Sequence, residues 1–269
     1  MTIWQAFLLG IIQGLTEFIP VSSTAHLLIA QKLFGLPSDE AMFSFLVIVQ
    51  LGTLLSLIVY YWKDLWEIAK ATLNFRVTTH ERNLGFYIII ATIPALLAGY
   101  FLKDLVKTMF ETPLFEAAVR LLTAALLLAL AEWLGRRMKR LKAMNWRDAL
   151  VIGLFQIIAV FPGASRSGVT ISGGMLRGLD RPAAARFAFL MSVPVMLAAG
   201  GYQMLDVIKM PGLGQFLPLL AIGFIAAAIV GWFAIRWLIT YLSKRKLYVF
   251  AAYCALVGLA ALAIQFFWK

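Results

Sequence analysis

Cysteine occurs once in the 269 residues, at Cys254, which excludes an intrachain disulfide and any cysteine-rich metal site. Histidine is nearly as scarce, with His26 and His80 alone. Charged residues make up only 14%, well below the ~25% of an average soluble domain. Hydrophobic residues reach 62% and the mean hydropathy is +0.87, more apolar surface than a soluble domain of this length buries. No basic residue precedes Lys32, and no clear small-residue cleavage site follows the apolar start, so no secretory signal peptide is expected there. These absences leave an all-α polytopic membrane protein, read as a single membrane domain over residues 1–269.

What is present is a series of apolar runs. A helix needs ~20 residues to cross ~30 Å of hydrocarbon. Uncharged stretches of about that length lie at Phe43 to Trp62, Leu84 to Leu102, Phe187 to Leu205, Phe216 to Ile235 and Leu247 to Trp268. A sixth, Ala117 to Ala131, contains only Arg120, with Glu116 one helical turn before it as an ion-pair partner. The formal charge of +11 marks topology rather than nucleic acid. Connections 63–83, 135–148, 177–186 and 236–246 hold 4, 6, 3 and 4 Lys/Arg, 17 in all, against five on the opposite side: Lys32, Lys103, Lys107, Lys209 and Lys269. The positive-inside rule therefore predicts cytoplasmic basic connections and both termini outside.

Two apolar segments are interrupted. Glu17 precedes Pro20-Val21-Ser22-Ser23-Thr24-Ala25-His26, and Arg166 follows sixteen uncharged residues, Ala149 to Ala164. An arginine at membrane depth costs at least ~2.5 kcal/mol unless paired or hydrated. Ala6, Gly10, Gln13 and Phe18 recur at an offset of 143 as Ala149, Gly153, Gln156 and Phe161; after a one-residue slip, Pro20, Ser23, Phe45 and Tyr60 recur as Pro162, Ser165, Phe187 and Tyr202. This predicts a duplication, repeat 1 over about 1–140 and repeat 2 over about 144–269. The arms around each break are too short or too polar to span, so each pair is expected to be re-entrant. An odd number of spans between the pairs gives the repeats inverted topology. The expected architecture is six full transmembrane helices plus two re-entrant helix pairs whose tips meet near the midplane, the usual position of broken helices around a ligand.

The polar residues at the breaks are chemically complementary. Gln13 and Glu17 share one helical face, and Pro20 ends that helix. Ser22, Ser23 and Thr24 are N-cap candidates for the next helix, but capping accounts for neither Glu17 nor His26. At the second break Gly163 permits close backbone approach, while Ser165, Arg166 and Ser167 open a helix whose amino end favours anions. Arg166 adds a planar fork suited to phosphate. A carboxylate, a serine, a histidine and an arginine suit phosphoryl transfer. The Lys-x6-Arg-Pro and Ser-Arg-x5-His-x3-Asp elements of phosphatidic-acid-type lipid phosphatases are absent. A transporter or scramblase of an anionic polyprenyl phosphate lipid stands as the alternative, because inverted repeats with broken helices are a transporter signature.

At the two breaks, Gln13-Gly14-Leu15-Thr16-Glu17-Phe18-Ile19-Pro20-Val21-Ser22-Ser23-Thr24-Ala25-His26 and Pro162-Gly163-Ala164-Ser165-Arg166-Ser167-Gly168-Val169-Thr170-Ile171-Ser172-Gly173-Gly174, the chain resembles the bacterial undecaprenyl-diphosphate phosphatases of the bacitracin-resistance type. The likeness extends over the full length. It implies a bacterial inner-membrane phosphoric anhydride hydrolase that converts undecaprenyl diphosphate to undecaprenyl phosphate, recycling the lipid carrier for peptidoglycan and other envelope polymers. It also implies a divalent cation, Mg2+ or Ca2+, with a homodimer left open. Carried over by position, Glu17, Ser23, His26 and Arg166 are the catalytic candidates. Ser22, Thr24, Gly163, Ser165, Ser167 and Thr170 are the phosphate-binding candidates, and Glu17 with Gln13 would hold the metal. Gln13 stands where many members have Glu, and Ala25 replaces a frequent Gly. Ser23 is the expected nucleophile, with direct attack by a metal-bound water left open. His26 would protonate the leaving phosphate or orient Ser23. The site is expected to open to the outer side.

Overall fold

A computed structural model describes residues 1–74, 79–102, 113–160, 165–209 and 212–267. Among them the chain forms eleven α-helices and no strand beyond an isolated bridge between Lys139 and Leu179. The helices are α1 (Ile3–Phe18), α2 (Ser23–Leu33), α3 (Glu40–Tyr60), α4 (Trp62–Leu73), α5 (His80–Phe101), α6 (Pro113–Leu134), α7 (Trp146–Ile158), α8 (Arg166–Leu176), α9 (Arg181–Lys209), α10 (Leu213–Leu242) and α11 (Tyr248–Phe267). Side-chain caps set several starts: Thr2 with Gln5 closes a capping box on α1, Asn145 with Asp148 does so on α7, and Asp39 and Thr79 cap α3 and α5.

Six of these helices, α3, α5, α6, α9, α10 and α11, are long and apolar enough to cross a membrane. They coincide with the six apolar runs, though α9 and α10 extend past theirs to 29 and 30 residues. Arg181, Arg186 and Arg236 are consequently helical, so the connections expected at 177–186 and 236–246 shrink. Long basic side chains explain the difference, because an apolar stem can stay on a helix while its charged head reaches water. The expected 63–83 connection likewise contains α4, whose single buried residue is Ile68. Trp62 stacks on Trp66 at 6.2 Å between centroids, and Lys70 lies 4.7 Å over the Trp66 ring. This amphipathic pattern suits an interfacial helix. Glu116 and Arg120, expected to pair, are both buried one turn apart on α6.

The four basic connections gather at one end of the molecule. Glu132 on α6 accepts from Arg137, from Arg181 and from the Leu247 amide at 3.1 Å. Asp148 accepts from Lys139 at 3.2 Å and Arg177 at 2.9 Å, and Arg186 reaches Asp64 at 3.0 Å. Lys139 also pairs its backbone with Gly178 and Asp180, both at 2.8 Å, so the chain that leaves along α7 returns along α8 to the same end. At the first break the Gln5 amide reaches the Phe34 carbonyl at 3.4 Å, closing the α1–α2 hairpin in the same way. Helices α2 and α8 have 11 residues each, about 16 Å of rise, short of a ~30 Å hydrocarbon layer.

Small residues let α1 approach α10 closely. A side chain on Gly10 would meet Gly223 and Ala226; one on Gly14 would meet Ala227, Val230 and Gly231. On α3, Gly52 lies against Phe224 and Ala227, and Ser56 lies against Gly231. Numbering rises together along all three, so α1, α3 and α10 run parallel, joined by a small-residue seam of the kind that brings apolar helices together without a hydrophobic driving force. At the second break Gly153 on α7 packs against the Ala91 backbone of α5. The first seam seats α1 so that Glu17, near its end, meets Arg166 at the start of α8.

Candidate active site

Glu17, in the last turn of α1, is the hub. It is 8% exposed, and it is held from three directions. Its Oε2 accepts from the Gln13 amide at 2.9 Å and from the Ser23 hydroxyl at 2.7 Å, while Oε1 accepts from the Arg166 guanidinium. Gln13 and Glu17 stack because they are four residues apart on one helix. Gln13 also donates to Thr53 of α3 at 3.3 Å. Arg166 is the first residue of α8, so this ion pair ties the last turn of α1 to the amino end of α8.

Between α1 and α2 the backbone turns sharply at Pro20. The Val21 amide donates to the Ile19 carbonyl at 2.7 Å, and Ser22 adopts a left-handed conformation with φ 66°. That is unusual for a residue bearing a Cβ. Ser22 occupies the N-cap position of α2 without a side-chain capping bond. The turn leaves Ser23 at the first position of α2, facing Glu17. Thr24 is exposed, on the outer face of α2.

On α8, Ser165 is the N-cap, accepting from the Gly168 amide at 3.2 Å and lying 3.2 Å from the Ser167 hydroxyl. Thr170 donates to the Arg166 carbonyl at 2.7 Å. Pro162 and Gly163 lie outside the described residues. A narrow cleft of about 10 Å3 lies where the two breaks meet, lined by Glu17, Phe18, Arg166, Ser167 and Thr170 and by Ala188, Phe189 and Ser192 of α9. Phe18 and Phe189 meet edge to face at 5.5 Å and form its apolar wall.

His26 is placed differently from the rest. Its Nδ1 lies 2.9 Å from the Ser22 carbonyl and its Nε2 2.7 Å from the Tyr253 hydroxyl of α11. Ser23 is oriented by Glu17 rather than by the imidazole. The structure thus brings Glu17, Arg166, Ser167 and Thr170 around one cleft, ties Gln13 and Ser23 to it through Glu17, holds Ser165 as a cap on α8, and sets His26 and Thr24 apart from the cleft lining.

Thr53, Phe189, Ser192 and Tyr253 were not legible as site residues. Polar side chains inside apolar runs flag Thr53 and Ser192. Tyr253 carries no such mark, being one of eight tyrosines.

Among the described residues no group of three or more His, Cys, Asp or Glu side chains is disposed to hold a metal ion. A hard cation shared with a phosphate needs fewer protein ligands, one or two carboxylates with substrate oxygens completing the shell. Glu17 supplies one such carboxylate, whereas Gln13 presents its amide nitrogen to Glu17 and Thr53, so its oxygen would join a cation there only once the amide turns over.

The family described as bacitracin resistance protein BacA matches residues 6–260. A protein of Alkaliphilus metalliredigens named undecaprenyl-diphosphatase is 41% identical, covering 96% of this chain and 97% of its own length. Namesakes in Mycobacterium marinum and Chlorobium phaeovibrioides are 38% and 39% identical, each covering 98% of this chain and 95% and 97% of their own. With its two broken segments meeting at Glu17 and Arg166 and its length matched almost end to end, the chain belongs to the bacitracin resistance protein BacA family.

Proposed function

We propose that the protein hydrolyses undecaprenyl diphosphate to undecaprenyl phosphate and inorganic phosphate in the bacterial inner membrane. The observation that carries this reading is the buried Glu17 carboxylate shared between the Ser23 hydroxyl and the Arg166 guanidinium. A hydroxyl already donating to a carboxylate is a nucleophile beside its base, and the arginine fork at a helix amino end is an anion clamp.

The incoming diphosphate takes Arg166 from Glu17, exchanging one anion for another at the same fork. Glu17 accepts the Ser23 proton as Oγ attacks the terminal phosphorus. The bond from phosphorus to the bridging oxygen breaks, and undecaprenyl phosphate leaves with the bonding electrons and the proton that Glu17 had taken, so that Glu17 is ionised again. Water then attacks the phosphoserine, Glu17 removes the water's proton, and Ser23 is reprotonated as inorganic phosphate forms. Ser167 faces the cleft as a hydrogen-bond donor to phosphoryl oxygens, and Thr170, which lines the same cleft, would donate there by exchanging its bond to the Arg166 carbonyl. A divalent cation, Mg2+ or Ca2+, held by Glu17 with Gln13, would neutralise charge on the diphosphate when bound.

The two hairpins are read as re-entrant pairs of an inverted repeat, the first entering from the outer side and the second from the cytoplasm, with both termini and the mouth of the site on the outer side. The return of each hairpin to its starting end supports this, as does the matching use of seams, α1 on α10 and α7 on α5. The test is release of inorganic phosphate from undecaprenyl diphosphate by purified protein in detergent. Binding without release would instead identify a lipid transporter.

A further inference from the structure

We propose that Tyr253, on the last span, is a positioning residue for His26 that fixes the turn presenting Ser23; the assignment rests on the phosphatase reading above. A carbonyl oxygen only accepts, so the 2.9 Å contact from His26 Nδ1 to the Ser22 carbonyl places the proton on Nδ1. A neutral imidazole has one N–H, so Nε2 presents its lone pair. The Tyr253 hydroxyl, 2.7 Å away, donates to it. The two rings lie nearly parallel, 7° apart, with centroids 5.7 Å from each other. The Ser22 carbonyl thereby sets the tautomer, and Tyr253 holds the imidazole in the matching orientation.

The far end of this chain of contacts reaches the nucleophile. His26 returns its Nδ1–H to Ser22, the residue whose left-handed φ of 66° makes the turn, and the next residue is Ser23 with its hydroxyl on Glu17. The neighbour of Tyr253 adds a second anchor, since the Cys254 thiol points at the Pro20 carbonyl at 3.7 Å. Two successive residues of α11 therefore hold the two sides of the first break. A strained turn persists only where its surroundings over-determine it, and Tyr253 through His26 supplies that restraint.

The experiment uses ¹⁵N-histidine in a His80→Asn background, where His26 is the sole histidine. The unsubstituted site is expected to show a neutral imidazole protonated on Nδ1, with Nε2 shifted as a hydrogen-bond acceptor. Tyr253→Phe keeps the ring and removes the donor; it should move the Nε2 resonance and lower kcat about tenfold, the worth of roughly one oriented hydrogen bond, with little change in KM. In a His26→Ala background the same substitution should cost nothing further. An Nε2-protonated or doubly protonated imidazole overturns the proposal without any need for a folded variant. So does wild-type kcat in Tyr253→Phe, or a full additional loss in the double variant. Failure of the unsubstituted protein to release phosphate would sink the phosphatase reading instead, leaving the tautomer measurement to be read by itself.

Discussion

The carboxylate of Glu17 and the guanidinium of Arg166 meet across 149 residues of sequence, joining the end of α1 to the start of α8. Each would be an uncompensated charge in an apolar interior without the other, and removing one partner of such a pair is far more costly than the pair's net worth. The contact therefore fixes how the end of α1 faces the start of α8, and it holds Arg166 in place for the anion-binding role proposed for it.

Arg166→Lys tests the fork. Lysine keeps the charge but offers a point donor on a flexible stem, so it cannot hold two oxygens of a phosphate in a plane. Turnover should fall at least ~30-fold, a loss of ~2 kcal/mol in transition-state stabilisation, with size-exclusion behaviour unchanged. Near-normal phosphate release would remove Arg166 from the site.

Glu17 and Gln13 are expected to respond in opposite ways. Glu17→Gln takes away the base for Ser23 and should cost at least ~100-fold. Gln13→Glu puts a second carboxylate on the same helical face, replacing a donor to Glu17 with a like charge. Activity should survive, with half-activation at a lower Mg2+ or Ca2+ concentration, because the added oxygen ligand is anionic. Loss of activity at every cation concentration would show that the Gln13 amide is needed as a donor.

The assignment of the nucleophile rests on one hydrogen bond. Ser23→Ala removes the hydroxyl that faces Glu17 and is expected to lower kcat by at least ~100-fold. Ser22→Gly should stay within about threefold, since glycine accepts the left-handed backbone at that position freely. If the glycine variant were the worse of the two in a phosphate-release assay, the role would pass to Ser22.

The spans were legible in the sequence because an apolar run of the right length has few alternatives. Glu17, Ser23 and Arg166 were legible as a group because polar residues at membrane depth need partners and the duplication placed the two breaks opposite each other. Helix α4 escaped notice because its charges made 63–83 read as a connection, although Trp62 and Trp66 at four-residue spacing carried the amphipathic signal. His26 was grouped with Ser23 by proximity in sequence. The partner of its Nε2, Tyr253, is 227 residues away and reaches it only through tertiary packing.

Gly14→Ala tests whether the seam positions the site. A methyl group there would sit 2.8 Å from the Val230 Cβ and 2.9 Å from both the Ala227 carbonyl oxygen and the Gly231 amide nitrogen. Two of these are backbone atoms of α10 that cannot rotate away, so α1 must shift and carry Glu17 with it. Overpacking of this kind costs ~1–3 kcal/mol. Thermal unfolding in detergent should move down by several degrees and kcat should fall with it. Unchanged stability would mean that α1 is not seated against α10.

Orientation is decided by which loops an impermeant thiol reagent reaches in intact cells. Ser38 lies exposed just before α3, at the end of the molecule where the first hairpin begins and ends, and Lys142 lies exposed among the basic connections at the other end. Its neighbour Met144 is buried and would be a poor reporter. The basic end should face the cytoplasm, so with the buried Cys254 replaced by Ala, Ser38→Cys should be labelled and Lys142→Cys protected until the cells are permeabilised. Reversed labelling would put the mouth of the α1–α2 hairpin inside. The contacts of Glu17 with Ser23 and Arg166 would be untouched by that result, but phosphate would then have to be released into the cytoplasm.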